Sequence, residues 1–440
     1  MSTLQSRIEK KEARIAVIGL GYVGLPVAAC LADAGFDVVG VDLKADRIAR
    51  IQAGHCPIEG EEPGLAPMVS HVVASGKLKP TTSFADLATA DVILIDVDTP
   101  VEGDNKPLYR ALRGACESLG SVMKDGALVI VESTIAPGTV DKVVAPLLES
   151  ASGKKRNQGF FLGHCPERVM PGRLLKNLTE LSRVCGGSTP ETAKAMVALY
   201  ATIVRGDLDE ADCVTAELVK TAENTYRDVN IAFANELALI CEASGGSFLR
   251  VRELVNKSPG RNVLLSGAGV GGHCITKDPW LLAHGAPGLD PKLIAAARAR
   301  NDSMPAHVLG LLESALASLG KGVSGARVAV LGYSYLEDSD DTRNSPSEAF
   351  IQHARAAGAE CVVHDPWVHE HKGDVWEALK GADAAVLLVA HTAYRRLDLG
   401  ALKKTLRTPV LVDARHMFSR ASARAAGLVF RGLGRAVEEV

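Results

Sequence analysis

Two stretches near opposite ends of this chain open with the same grammar. Arg14-Ile-Ala-Val-Ile-Gly19 returns as Arg327-Val-Ala-Val-Leu-Gly332. Asp37-Val-Val-Gly-Val-Asp42 returns as Glu360-Cys-Val-Val-His-Asp365, and Ala90-Asp-Val-Ile-Leu-Ile95 as Ala382-Asp-Ala-Ala-Val-Leu-Leu388. Short apolar runs bounded by Gly and Asp, with helical patterns between them, predict buried parallel strands and crossover helices. A chain that carries this pattern twice needs two sheets, and 440 residues exceed what one hydrophobic core covers. The fold class expected is α/β, with two doubly wound domains.

Between the two lies a different pattern. Residues 210–244 contain neither Gly nor Pro, and apolar Leu218, Ala222, Val229, Phe233 and Leu237 recur at four- and seven-residue spacing. That predicts one helix, ~45 Å long or more at the α-helical rise. It is suited to join two domains and to build a subunit interface. A second helical stretch is expected over 291–319, and Gly320 to Ala326 reads as a linker. The division expected is 1–207, 208–319 and 320–440.

The first repeat carries Gly19-Leu-Gly-Tyr-Val-Gly24 between a strand, 14–18, and a helix, 23–34. In that position Gly19, Gly21 and Gly24, with Tyr22 and Val23 between them, form a dinucleotide fingerprint. The glycines let a pyrophosphate approach the helix N-terminus, where free N–H groups favour anions. Asp42, about 20 residues on, accepts from a ribose 2′-hydroxyl and repels a 2′-phosphate, so NAD is expected over NADP. Lys44 and Arg47 soften that exclusion. The domain is therefore Rossmann-like. Thr99, Ser133 and Thr134 follow later strands, at the sheet edge where ligands of open parallel sheets bind. In the second repeat, Tyr333, Ser334 and Tyr335 follow Gly332. The fingerprint is absent there, so a second dinucleotide is not expected, and the strand ends are left open to a nucleotide.

The densest chemistry lies in Gly267-Ala-Gly-Val-Gly-Gly-His-Cys-Ile-Thr-Lys-Asp-Pro279. Cys274 stands between glycines, which allow close approach, and Lys277 with Asp278. A nearby cation favours the nucleophilic thiolate. The alternative is a buried structural cysteine, and the polar His273, Lys277 and Asp278 speak against it. A redox cofactor beside a cysteine nucleophile points to a dehydrogenase that holds its carbonyl intermediate covalently.

Other segments leave two readings open. His164-Cys-Pro-Glu-Arg-Val-Met-Pro-Gly172 sets Glu167 and Arg168 between prolines, either as aimed charges or as a surface ion pair. Its Cys165 is a rival nucleophile in a non-activating setting. Lys220 and Asn224 share one face of the long helix, facing a ligand or solvent. Arg343, before a helix, and Arg415, after the strand Val410 to Asp413, are phosphate clamps or ordinary surface charges.

The totals exclude several classes. A net charge of −3 and an aromatic content of 4% leave no footprint for nucleic acid. No apolar run approaches the roughly 20 residues of a membrane span. The charged opening, Met1 to Arg14, is not a signal peptide, and nine irregularly spaced cysteines suit a reducing compartment. A soluble cytoplasmic protein is expected, with no nucleic-acid or membrane partner. No Cys-x-x-Cys pair is present, so no metal is expected.

Taken together, the motifs resemble the UDP-sugar 6-dehydrogenase family. They are Gly19-Leu-Gly-Tyr-Val-Gly-Leu-Pro26, Glu132-Ser-Thr-Ile-Ala-Pro-Gly-Thr139, Cys165-Pro-Glu-Arg-Val-Met-Pro-Gly172, Lys220 with Asn224, Gly269-Val-Gly-Gly-His-Cys274 with Lys277-Asp278, and Asp341-Thr-Arg343. They span nearly the whole chain. The resemblance implies an NAD-binding Rossmann domain, a central long-helix dimerisation region and a C-terminal UDP-sugar-binding Rossmann-like domain, in a homodimer or higher oligomer. Cys-Pro-Glu-Arg and Gly-Gly-His-Cys are similar to the branch acting on UDP-N-acetylhexosamines, with UDP-N-acetylmannosamine favoured over UDP-N-acetylglucosamine. UDP-glucose oxidation is the alternative. A two-electron hydroxyacid dehydrogenase and a non-catalytic nucleotide-sugar sensor are the rivals outside the family. One departure stands out: the family's common Phe-Lys is Tyr335-Leu336 here.

The same resemblance implies the roles. Cys274 captures a C6 aldehyde and carries a thioester. Lys220 and Asn224 stabilise the oxyanion, Asp278 and Glu167 move protons, and Thr134 holds a water. Gly19, Gly21, Tyr22, Val23, Gly24, Asp42, Arg47, Thr99, Ser133, Thr134, Lys277 and Arg343 serve the cofactor. Glu167, Arg168, Val169, Lys220, Asn224, Gly271, Tyr335, Arg415 and Arg261, the last from a neighbouring subunit, serve the substrate.

Overall fold

The computed structural model describes residues 1–58, 60 and 62–436. The chain separates into two compact units, residues 1–223 with 280–289 and residues 224–279 with 290–440. Each is α/β, and the long helix joins them.

Among the described residues the first unit is built on eight strands: β1 (Arg14–Ile18), β2 (Asp37–Val41), β3 (Leu78–Thr81), β4 (Val92–Ile95), β5 (Ala127–Val131), β6 (Phe160–His164), β7 (Arg183–Gly187) and β8 (Leu208–Asp212). Their order is β3-β2-β1-β4-β5-β6-β7-β8. The central strands β4 and β5 are buried at every residue. That is why they read as unbroken apolar runs: helices cover both faces. The strand order reverses between β1 and β4, which makes that crevice the sheet's topological switch point. The expectation of a parallel sheet needs one correction. β7 runs antiparallel to β6, and β8 is parallel to β7. The run Arg183–Gly187 is short and buried whichever way it points, so its sequence carries no direction.

The second unit holds β9 (Arg327–Leu331), β10 (Glu360–His364), β11 (Ala384–Leu387), β12 (Val410–Asp413) and β13 (Val429–Gly432) in the order β10-β9-β11-β12-β13, all parallel. The order reverses between β9 and β11.

The sequence repeat is a repeat of hydrogen bonds. Asp91 accepts from Arg14 N at 2.8 Å, and Asp383 accepts from Arg327 N at 3.0 Å. Gly19 N donates to Val41 O at 2.8 Å and Gly332 N to His364 O at 2.9 Å. Asp42 accepts from Leu20 N at 3.0 Å and Asp365 from Tyr333 N at 2.7 Å. The recurring aspartates satisfy backbone N–H groups that the sheet leaves over at the strand ends.

The long helix spans Cys213–Ser244, 32 residues. Residues 210–212, expected in it, belong to β8 instead. Asp212 stops the helix there, because its carboxylate accepts from Thr215 N at 2.8 Å, an N-terminal cap. A second long helix covers Lys292–Ala317.

Candidate active site

The fingerprint turn leaves β1 and enters the helix Gly24–Asp33. A Cβ on Gly19 would fall 2.1 Å from Asp96 O, and one on Gly24 would fall 1.9 Å from Gly19 O. Those glycines are dictated by packing. Gly21 is different: a Cβ there meets nothing closer than the Arg47 guanidinium at 4.0 Å. Its missing side chain leaves an open approach to the helix N-terminus, which fits a pyrophosphate. At the end of β2, Asp42 is nearly buried and fixed by Leu20 N, by Lys44 N at 2.9 Å and by Arg47 at 2.7 Å. A carboxylate accepts about four hydrogen bonds, so capacity for a ribose hydroxyl remains. The residues present therefore fit a dinucleotide. Nearby, Thr99 Oγ1 donates to Thr134 O at 2.6 Å, and Ser133 Oγ accepts from Val97 N at 2.9 Å. These side chains knit the loops after β4 and β5 together.

Removing the Asp42 carboxylate should raise the KM for NAD on the order of tenfold or more, the loss of a hydrogen bond to a charged group, and lower the KM for NADP by relieving the repulsion of its 2′-phosphate. Steady-state kinetics with both cofactors on Asp42→Ala checks this. An unaltered preference contradicts the ribose assignment.

After β6 comes the loop that carries Glu167. Lys220 Nζ donates to Glu167 O at 2.6 Å, and the Glu167 carboxylate accepts from Val169 N. Arg168 is engaged: it forms a two-point ion pair with Glu223 and donates to Ser182 O at 2.5 Å. The guanidinium anchors the loop to the long helix. Cys165 is fully buried and shares a thiol hydrogen bond with Cys185, which leaves it no route to a substrate. His164 is equally buried. Burial pushes its pKa down to about 3, so it is neutral, with Nδ1 bonded to Val131 O at 2.8 Å.

In the second unit, Cys274 lies in a partly buried turn. Its carbonyl accepts from Lys277 N at 3.1 Å and Asp278 N at 2.9 Å. Asp278 is fully buried and holds two partners, Lys277 Nζ at 2.6 Å and Asn224 Nδ2 at 2.5 Å. Lys277, Asn224 and Asp278 are thus one cluster behind the cysteine. Tyr335 packs against Gly271 and Gly272, and burial pushes its phenol up to about 12. Arg343 is paired with Asp341 through three side-chain contacts, at 2.9, 3.1 and 2.5 Å. Arg415 is paired with Glu337 at 3.0 Å and lies against Gly267. Arg261 is exposed, and its contacts described stay in its own turn: its guanidinium donates to Pro259 O at 3.0 Å and its backbone N to Ser258 O at 3.2 Å.

Three residues that no motif picks out hold these parts. Glu217 is fully buried and accepts from Gly138 N at 2.5 Å and Val140 N at 2.8 Å, fixing the far end of the Thr134 loop. Burial pushes its carboxyl up to about 7. Arg183 pairs with Glu132 at 3.1 Å inside the first core. Asn344 bonds the cysteine turn. Among the described residues, no group of three or more His, Cys, Asp or Glu side chains could hold a metal ion.

Residues 13–204 match the NAD binding domain of the UDP-glucose/GDP-mannose dehydrogenase family, 214–303 its central domain and 329–420 its UDP binding domain. Over 422 residues the chain is 40% identical to a UDP-N-acetyl-D-mannosamine dehydrogenase of Pyrococcus horikoshii, covering 96% of this chain and 99% of that one. The chain belongs to the UDP-glucose/GDP-mannose dehydrogenase family. A family member of solved structure, UDP-D-ManNAc dehydrogenase from Pyrococcus horikoshii, superposes with a TM-score of 0.91 at 40% identity, covering 96% of this chain and 99% of that one. Another, NDP-N-acetyl-D-galactosaminuronic acid dehydrogenase from Methanosarcina mazei, gives 0.88 at 38% identity, covering 98% of each. As a family member the protein is an NAD-dependent nucleotide-sugar dehydrogenase: it carries an NAD-binding domain at its N-terminal end and a UDP-binding domain toward its C-terminal end. No helix among the described residues is long and apolar enough to cross a membrane.

Proposed function

We propose that this enzyme oxidises C6 of a UDP-N-acetylhexosamine, UDP-N-acetylmannosamine in the first place, to the uronic acid. The single observation that carries the reading is Cys274 on a glycine turn with the Lys277–Asp278–Asn224 cluster behind it. A two-electron dehydrogenase has no use for that thiol, whereas an alcohol-to-acid oxidation does. Relatives named for acetamido sugars, and the Cys-Pro-Glu-Arg and Gly-Gly-His-Cys segments, support the acetamido substrate.

Bound NAD supplies a two-electron hydride acceptor, and two are used per sugar. The chain's own work lies between the two oxidations. Once the C6 alcohol has lost a hydride and a proton, the Cys274 thiolate adds to the aldehyde carbon. The S–C bond forms as the carbonyl π pair moves to oxygen, giving a thiohemiacetal. Loss of a second hydride leaves a thioester on Cys274. Water then adds, the C–S bond breaks, and the carboxylate leaves with the thiol restored. Covalent capture keeps the reactive aldehyde from escaping.

In this reading Lys220 and Asn224 supply positive charge and an amide to the developing oxyanion. Asp278 takes up the proton, while Glu167 activates water with Thr134. Gly19, Gly21, Tyr22, Val23, Gly24, Asp42, Arg47, Thr99, Ser133, Lys277 and Arg343 serve NAD. Arg168, Val169, Gly271, Tyr335, Arg415 and Arg261 serve the UDP-sugar, Arg168 through the loop it anchors. The division 1–207, 208–319 and 320–440 follows these tasks. The active form is a homodimer or larger: Tyr226, Phe233 and Ile240 stand exposed at seven-residue spacing on the long helix, an apolar stripe suited to a second copy. Nine cysteines at irregular spacing fit a reducing compartment, and the enzyme is assigned to the cytoplasm.

A substrate panel tests the sugar. The kcat/KM for UDP-N-acetylmannosamine should exceed that for UDP-glucose on the order of 100-fold, the cost of leaving the site's partners of the acetamido group unpaired. Equal values for both sugars contradict the acetamido reading.

A further inference from the structure

The turn that carries Cys274 is braced from another segment. Gly272 N donates to Arg343 O at 2.8 Å. The Asn344 amide nitrogen donates to Gly272 O at 3.2 Å and to Thr276 Oγ1 at 3.3 Å, and Thr276 Oγ1 donates to Gly272 O at 2.8 Å. These bonds enclose His273, Cys274 and Ile275. The two segments also lie flush. A Cβ on Gly271 would fall 2.4 Å from Tyr335 Cβ and 2.9 Å from Asn344 O, and one on Gly272 would fall 2.9 Å from the Tyr335 ring. The paired glycines are what let the turn lie down on this loop.

Asn344 has a φ of +50°, in the left-handed region that asparagine tolerates and most residues avoid. That conformation aims its amide at both shoulders of the cysteine. A left-handed turn by itself requires only glycine. An asparagine there adds two hydrogen bonds across 68 and 72 residues of sequence.

We propose that Asn344 is the positioning residue for Cys274, holding the thiol's turn at the geometry needed to attack the aldehyde carbon. The proposal rests on the reading of Cys274 as the nucleophile. Asn344 touches neither the reacting carbon nor the thiol in this role. It acts through Gly272 and Thr276. Because it lies within the segment matching the UDP binding domain, the nucleophile's pose is set by the domain that takes the nucleotide. A misplaced nucleophile costs rate more than binding, so the signature is a fall in kcat with little change in KM.

The test uses full-length enzyme in four variants. Asn344→Asp is isosteric and equally at home in the left-handed region, but its carboxylate cannot donate. Asn344→Gly keeps the backbone conformation and removes the amide. Thr276→Val removes the second partner without touching residue 344. Cys274→Ala is the control for the nucleophile. Each is assayed for acid formation, for melting temperature and, where the cysteine remains, for the rate of Cys274 alkylation by iodoacetamide, located by peptide mass. Both Asn344 variants should lose kcat about tenfold or more, with KM for both substrates within about twofold. Melting temperature should be unchanged and the alkylation rate of Cys274 altered, and Thr276→Val should move the same way. Wild-type kcat in Asn344→Gly overturns the proposal. So does a loss that tracks the folded fraction while Cys274 alkylates at the wild-type rate. If Cys274→Ala still makes the acid, the nucleophile reading fails and takes the proposal with it. If Cys274→Ala is inactive and Asn344→Gly is unaffected, the proposal alone fails.

Discussion

Cys274→Ala enzyme should bind NAD as the wild type does and form no uronic acid, a loss of acid formation on the order of 10³-fold or more, as for other covalent nucleophiles. The physical reason is the difference between the two oxidations. An alcohol carbon bears the hydrogen that leaves as hydride. An aldehyde's own C–H is a poor hydride donor until a nucleophile has added and placed an oxyanion beside it. Without the thiol, the second oxidation has no tetrahedral carbon to start from. The cluster of Asp278, Lys277 and Asn224 is bonded within itself and stays in place when the sulfur is gone. The variant therefore separates chemistry from folding. Acid production is followed by product chromatography, and NAD binding by titration calorimetry. Acid formed at the wild-type rate contradicts the covalent route.

The second large effect is on stability. Arg183→Met should destabilise the first unit by about 3–5 kcal/mol, the cost of removing one partner from a buried ion pair. Arg183 donates to Glu132 at 3.1 Å with both side chains almost wholly buried, and its guanidinium stacks 4.9 Å from the Tyr200 ring centre. Tyr200 also donates to Glu132 at 2.7 Å. Close by, burial and the neighbouring Glu132 hold the Asp96 carboxyl well above the usual carboxylate range. Arg183 is the cation this group of acids is built around. Methionine fills the volume but leaves Glu132 buried without a cation. Urea unfolding at neutral pH measures the loss, and a change under about 1 kcal/mol would show that the acids need no counter-charge. The prediction also touches function, because Glu132 begins the segment that supplies Ser133 and Thr134.

How much of this was legible in the sequence depends on the range of the interaction. The repeated strands were readable because each is a local run, and the aspartates at 42, 91, 365 and 383 punctuate those runs at matching places. The fingerprint was readable because three glycines fall within six residues, though the sequence does not say that Gly19 and Gly24 serve packing and Gly21 alone stays open. The cysteine turn was readable for the same local reason. What was not legible pairs residues far apart in sequence. Arg183 and Glu132 are 51 residues apart, Glu217 and Val140 77, Asn344 and Gly272 72. No periodicity links such partners, and each residue type is common in its setting. Arg168 shows the converse. Its motif drew notice to its charge, and the fold gives that charge to Glu223 and Ser182. The direction of β7 was hidden too, since a five-residue buried strand has the same pattern either way.

The central claim is a four-electron oxidation by one cysteine-bearing site, and NADH yield per sugar tests it most directly. Purified enzyme, excess NAD and a limiting amount of UDP-N-acetylmannosamine are taken to completion, and NADH is read by absorbance against sugar consumed. The account predicts two NADH per sugar, with the uronic acid as product. One NADH per sugar, with the aldehyde accumulating, would contradict it and remove the role given to Cys274.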